Sequence, residues 1–162
     1  MKDQYWMERA LELATKAASE NEIPVGAIIV LNDEIIGEGY NASISLCDPT
    51  AHAEIQAIRM ACQKMKNYRL PSATLYVTLE PCSMCAGAMI HARIDRVVYA
   101  AMEPKSGVVE SQGRFFEAPF LNHKVNVESG VLAEKASTQL TQFFQYRREQ
   151  KKKLKERAKK AI

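Results

Sequence analysis

Thr74-Leu-Tyr-Val-Thr-Leu-Glu-Pro-Cys-Ser-Met-Cys-Ala-Gly-Ala-Met-Ile-His91 is the stretch that decides how this chain folds. Thr74 to Leu79 is rich in β-branched, aromatic and aliphatic residues, which suits a strand. Pro81 ends the strand, because proline has no N–H for a ladder, and it opens a short helix through Cys82 to Ala92. Arg96 to Ala101 is a second apolar run and reads as another strand. Strand, helix and strand in succession are the alternation of an α/β protein.

The flanking sequence extends that pattern. Apolar residues at Trp6, Ala10, Leu13, Ala14 and Ala17 keep helical spacing through Asp3 to Ser19 and predict a core stripe; Asn21 and Pro24 end it. Val25 to Leu31 and Glu34 to Tyr40, joined at Asn32-Asp33, predict a hairpin. Asp48-Pro49-Thr50 predicts a helix start, with Asp48 or Thr50 as cap, running to about Asn67. Pro71 breaks the chain before the next strand, and Glu103 to Asn122 has no clear period. Lys124 to Glu128 predicts a last strand, and after Gly130 a long helix carries Leu132, Ala136, Leu140, Phe143 and Phe144 on one face. Five strands among helices predict a three-layer α/β/α sandwich around a central mixed sheet. The 162 residues, 47% hydrophobic, predict one domain over 1–162, without repeats or linkers.

Charge and cysteine usage narrow the setting. The net charge is +3, yet Arg147 to Lys160 alone carries about +7, leaving a body of about −4. A local positive field suits a polyanion rather than generic basicity, although a basic run taken alone is more often a solvated helix end. The four cysteines are not spaced like a secreted disulfide framework. No secretory segment or membrane-length apolar run is visible, so the expected compartment is the cytoplasm.

Two short motifs carry the chemistry. Cys82 and Cys85 are three apart at a predicted helix start, so both sulfurs project from one face, where free N–H groups favour thiolate. Alone, such a pair is equally a redox dithiol or a structural zinc half-site. His52-Ala53-Glu54, also at a predicted helix start, changes the balance. One imidazole and two thiolates give zinc three ligands and leave its fourth position open, as in catalytic sites. Glu54 lies about 200° around an ideal helix from His52, so it faces another direction and is free to move protons to and from a water at the open position. That arrangement can add water to an electron-poor C=N carbon and expel ammonia. Cys47 is near enough in sequence to His52 to compete as a fourth ligand; it and Cys62 read as structural or incidental, His91 and His123 as not metal ligands, and Glu80 as a residue fixing local backbone.

The pairing of His-Ala-Glu with Pro-Cys-x-x-Cys resembles the cytidine deaminase superfamily. Asp48-Pro-Thr-Ala-His-Ala-Glu-Ile55, Asn67-Tyr-Arg-Leu70, the stretch from Thr74 to His91 and Phe143-Phe144-Gln-Tyr-Arg-Arg148 resemble the bacterial tRNA-specific adenosine deaminases within it, over about Tyr5 to Arg148. The resemblance implies a cytidine deaminase-like fold with the zinc site at helix N-termini. It implies a homodimer with one zinc per subunit, acting on the anticodon stem-loop of tRNA and converting the wobble adenosine to inosine. His52, Cys82 and Cys85 would hold the metal and Glu54 would shuttle protons; Asn41, Ala53, Pro24 and Val25 would meet the target nucleoside. Glu103, Lys105, Asn122, His123, Arg147 and Arg148 match RNA-facing positions, although the family more often has Asp in place of Glu103. Val108 to Ala118 departs from the family's Gly-Ser-Leu type of segment, and its Glu110 adds negative charge near the expected RNA path. Two other functions compete: a deaminase of free bases or nucleosides such as guanine or cytidine, and a non-catalytic, zinc-stabilised RNA-binding module.

Overall fold

Five strands form one mixed sheet in the order β2-β1-β3-β4-β5 in the computed structural model, which describes residues 2–161. Met1 and Ile162, the two ends of the expected domain, lie outside the described residues. In chain order the elements are α1 (Lys2–Ser19), β1 (Gly26–Leu31), β2 (Glu34–Tyr40), α2 (Ala53–Met65), β3 (Thr74–Leu79), α3 (Ser83–His91), β4 (Arg96–Ala101), a 3-10 turn at Phe115–Glu117, β5 (Asn126–Ser129) and α4 (Ala133–Lys160). β1 runs antiparallel to β2 and β3, whereas β3, β4 and β5 are parallel. Asn32 and Asp33 both take positive φ, the conformation a two-residue hairpin turn demands and these side chains tolerate.

Side-chain alternation along the strands makes two cores. Ile29, Leu75, Val77, Val97 and Tyr99 pack with Ala53, Ala57, Cys85 and Met89 of α2 and α3. Ile28, Val30, Tyr76, Val98 and Ala100 pack with Met7, Ala10 and Ala136 of α1 and α4. The expected three-layer sandwich follows directly, because the central strands β1, β3 and β4 bury both faces. Helices approach the hairpin closely. A Cβ on Gly39 would lie 2.2 Å from the Ala53 carbonyl oxygen, so glycine is what lets the start of α2 rest on β2. Asp3 ties α1 to the sheet, accepting from both Arg96 guanidinium nitrogens at 2.9 and 2.7 Å and from the Tyr76 hydroxyl at 2.7 Å.

Several boundaries differ from the sequence expectation. α2 begins at Ala53, not at Asp48-Pro49-Thr50. The Asp48 carboxylate instead accepts the Thr50 N–H at 2.8 Å and its hydroxyl at 2.7 Å, a local turn that competes with helix. His52 is therefore the extended residue before the helix, not part of its first turn. Cys82 likewise precedes α3. β5 starts two residues late, where the Asn126 N–H reaches the Asp95 carbonyl. In α1 the buried side chains include Met7 and Leu11, while Trp6 and Leu13 pack only partly. In α4, Ala136 and Phe143 are buried; Leu132 lies before the helix in the left-handed region. Among the described residues no helix is long and apolar enough to cross a membrane.

Candidate metal centre and active site

His52, Cys82 and Cys85 converge where the N-termini of α2 and α3 meet. His52 Nδ1 is 3.6 Å from Cys82 Sγ and 3.6 Å from Cys85 Sγ. All three atoms lie within 4.8 Å of one another. Tetrahedral zinc, with bonds of about 2.3 Å to sulfur and 2.05 Å to nitrogen, needs an N···S edge of about 3.6 Å. The donor set thus fits zinc in chemistry and in spacing. The charge state also suits a cation. The Cys85 thiol donates to Cys82 and, against the cost of burial, with His52 beside it, holds the Cys82 thiol down at about 4. The Cys82 sulfur and burial push Cys85 the other way, far above its ordinary value. One proton remains between two sulfurs, and a divalent ion displaces it.

Glu54 is buried in the first turn of α2 and stands outside the three-atom donor set. Burial pushes its carboxyl up to about 7; Cys82 adds to the shift, and His52 and Cys85 oppose it. A carboxyl poised near neutrality can both take and give a proton. The helical-angle reasoning that separated Glu54 from the metal does not apply as stated, since His52 is extended and lies outside the helix.

Asn41, just past β2, supplies what Asp48 and Thr50 do not. Its Oδ1 accepts the Ala53 N–H at 3.2 Å, satisfying a free donor at the start of α2 from a distant part of the chain. Beside it opens a cavity of about 230 Å³. Val25, Asn41, His52, Glu54 and Cys82 line it, with Ile23, Leu79, Glu80, Glu103, Ser106, Leu140 and Phe144. Most of these residues come from strand ends and the loops beyond them, the usual place for ligand clefts in such sheets, while Glu54 of α2 and Leu140 and Phe144 of α4 complete the wall.

Two buried carboxylates shape the rim. Glu80 is 3% exposed and accepts N–H groups of Glu103, Val109, Glu110 and Ser111 at 3.1, 3.1, 2.8 and 2.9 Å, plus the Ser111 hydroxyl. Burial alone would raise its carboxyl; these donors outweigh burial and hold it below the ordinary value. It fixes the 103–111 loop, whose Glu103 and Ser106 face the cavity. Gly107 is required there, because a Cβ would sit 2.4 Å from the Glu80 carboxyl carbon. Glu22 accepts the Ile44 and Ser45 N–H groups at 3.2 and 2.7 Å and pins the loop after Asn41. Burial raises that carboxyl too, but these donors and nearby Arg147 bring it below its ordinary value.

The remaining expected residues are distributed as follows. Val25 lines the cavity; Pro24 and Ala53 are buried behind it. Glu103 lines it and accepts the N–H of exposed Lys105 at 2.9 Å. Asn122 is exposed away from the cavity, and the His123 ring lies 2.8 Å from the Ile94 carbonyl. Arg147 donates to the Asn21 carbonyl at 3.2 Å and lies 5.0 Å over the Phe143 ring, while Arg148 is exposed. Glu110 accepts from the Tyr99 hydroxyl, so its carboxylate is tied to β4. Cys47 is exposed and outside the donor set; Cys62 packs partly against the core. The sequence carries no local signal for Glu22, and Leu140 and Phe144, expected on the apolar face of the last helix, turn out to line the cavity.

The sheet order and the His/Cys/Cys centre together define a zinc-dependent deaminase. Residues 1–101 match the cytidine and deoxycytidylate deaminase zinc-binding region, and the chain belongs to that family. It is 54% identical over 151 residues to the tRNA-specific adenosine deaminase of Haemophilus influenzae, covering 93% of this chain and 87% of that one. It is 41% identical over 150 residues to the protein of the same name from Bacillus subtilis, covering 93% of each. Its fold superposes with a TM-score of 0.82, at 47% identity, on a solved structure from a study of A-to-I editing by tRNA:A34 deaminases at the wobble position, covering 84% of this chain and 99% of that one. A guanine deaminase from Bacillus subtilis is more distant, with a TM-score of 0.60 and 35% identity, covering 74% of this chain and 87% of that one.

Proposed function

We propose that this chain is a tRNA-specific adenosine deaminase that hydrolyses the wobble adenosine of an anticodon loop to inosine and ammonia. His52, Cys82 and Cys85 hold one zinc per subunit in this reading. When bound, the metal supplies positive charge that makes a neighbouring water acidic enough to react near neutral pH. A Glu54 carboxylate oxygen takes one proton from the water and passes it to N1 of the purine as the water oxygen bonds to C6 and the C6=N1 double bond opens. The same carboxylate then moves the remaining hydroxyl proton to the amino nitrogen as the C6–N bond breaks and C6=O forms. Atoms balance: adenosine and water in, inosine and ammonia out. Asn41, held by the Ala53 N–H, orients the nucleoside; Ala53 backbone, Pro24 and Val25 shape the pocket behind it. Glu103, Lys105, Asn122, His123 and Arg148 serve the flanking RNA, with Arg147 nearby. The reading carries with it a single deaminase domain, a homodimer and a cytoplasmic location.

One observation favours RNA over a free base: 54% identity over 93% of the chain to a tRNA-specific adenosine deaminase, against 35% over 74% to a guanine deaminase. An unpaired loop presents splayed bases, so the pocket need not open a duplex. The test is direct. Zinc-loaded protein is mixed with an anticodon stem-loop bearing a wobble adenosine, and separately with free adenosine, cytidine and guanine, and inosine and ammonia are measured. Inosine in the stem-loop is the expected result. Ammonia from a free base alone overturns the assignment.

A further inference from the structure

α4 carries a basic stripe, free of acidic residues, on the helix face that reaches the cavity. Arg148, Lys151, Lys152, Lys155 and Lys159 are all exposed. At about 100° per residue they fall within an arc of about 100°, over about 16 Å of helix. Glu149 and Glu156 lie outside the arc, on the side shared by Lys153, Arg157 and Lys160. Within the described residues none of the five stripe cations pairs with a carboxylate.

The register of the stripe adds a second, independent observation. Phe144, which lines the cavity, falls inside the same arc, and Leu140, which also lines it, lies about 20° from its edge. The helix face that closes the pocket therefore continues outward as a track of cations without an acid. Arg147 lies about 40° outside the arc and is already engaged by Asn21 and Phe143.

We infer that this face binds the phosphate backbone of the RNA strand leading away from the reacting nucleotide, along the stem that flanks the loop. The inference rests on the tRNA reading above and extends it from the pocket to the strand's path. Charge complementarity selects the occupant: lysines spaced along one helix face meet successive phosphates, whereas a free nucleoside offers none.

Two variants with equal net charge test it in the full-length, zinc-loaded protein. One changes Lys151, Lys152 and Lys155 to Gln; the other changes Lys153, Arg157 and Lys160 to Gln. Binding of a fluorescent anticodon stem-loop is followed by anisotropy from 50 to 300 mM salt. Each neutralised phosphate contact removes about 0.7 to 0.9 from the slope of log K against log salt. The stripe variant should flatten that slope by about 2. The opposite-face variant should change it by less than about 0.5. Equal changes in both variants, or none in the stripe variant, overturn the inference. The readout is binding alone: a stem-loop that binds with the asymmetric slopes but yields no inosine would leave the surface standing and remove the deamination reading.

Discussion

Replacing Glu80 with Gln isolates what a buried carboxylate does at the rim of the pocket. One oxygen accepts the Val109, Glu110 and Ser111 N–H groups and the other accepts the Glu103 N–H and the Ser111 hydroxyl. Glutamine offers one oxygen. Placed against the three N–H groups, it leaves its NH₂ facing the Glu103 N–H, donor to donor. The lost bond to a charged acceptor costs about 1.5–3 kcal/mol, and the other three weaken as the charge disappears. Relief of the carboxylate's desolvation offsets part of this. A net loss of about 2–3 kcal/mol follows, or about 4–12 °C in Tm for a chain of this size. Glu103 and Ser106 line the cavity from the loop that Glu80 holds, so KM for the stem-loop should rise while zinc content stays at the parent's level. Thermal melts, metal analysis and steady-state kinetics read these three quantities. A Tm within about 2 °C of the parent, or zinc lost with KM unchanged, would refute the reasoning.

Other perturbations probe the supports of the site. Gly39→Ala forces a methyl to within 2.2 Å of the Ala53 carbonyl oxygen; urea unfolding should show a loss of about 1–3 kcal/mol, with weaker zinc retention because the start of α2 must shift. Glu22 is held below its ordinary value of 4.5, so its stabilisation is present above that pH and disappears as pH falls through the lower folded value. The stability gap between parent and Glu22→Gln should therefore be widest near pH 7 and shrink below about pH 4.5, which unfolding at both pH values checks. Removing zinc with a chelator should lower Tm, and excess zinc should raise it by mass action, adding about 2.7 kcal/mol of stability at 100-fold over Kd; a Tm indifferent to zinc counts against a metal held by the native state.

The strands were legible because β-branched and aromatic runs such as Thr74–Leu79 and Arg96–Ala101 carry their own signal. The two-residue turn at Asn32-Asp33 was legible for the same local reason. The start of α2 was not: Asp-Pro-Thr is an apt cap by composition, yet Asp48 spends its carboxylate on Thr50, and the cap comes from Asn41, 12 residues from Ala53. His52, Cys82 and Cys85 stood out as chemistry-bearing residues, and the structure brings them together. Glu22 did not stand out, and Leu140 and Phe144 stood out only as an apolar helix face, since a buried carboxylate that pins a loop and apolar residues that close a pocket look like any others until the chain is packed. Lys105, Asn122 and His123 sit outside the cavity; Lys105 and Asn122 are exposed, while the His123 ring is held at the Ile94 carbonyl.

The central claim is a hydrolytic centre in which three side chains hold the metal and Glu54 carries the proton. Metal content and inosine yield measured side by side in Glu54→Gln test it most directly. The account predicts full zinc with deamination of the stem-loop lowered by about 10²–10⁴-fold. A variant that keeps its zinc and still makes inosine at the parent rate would contradict it.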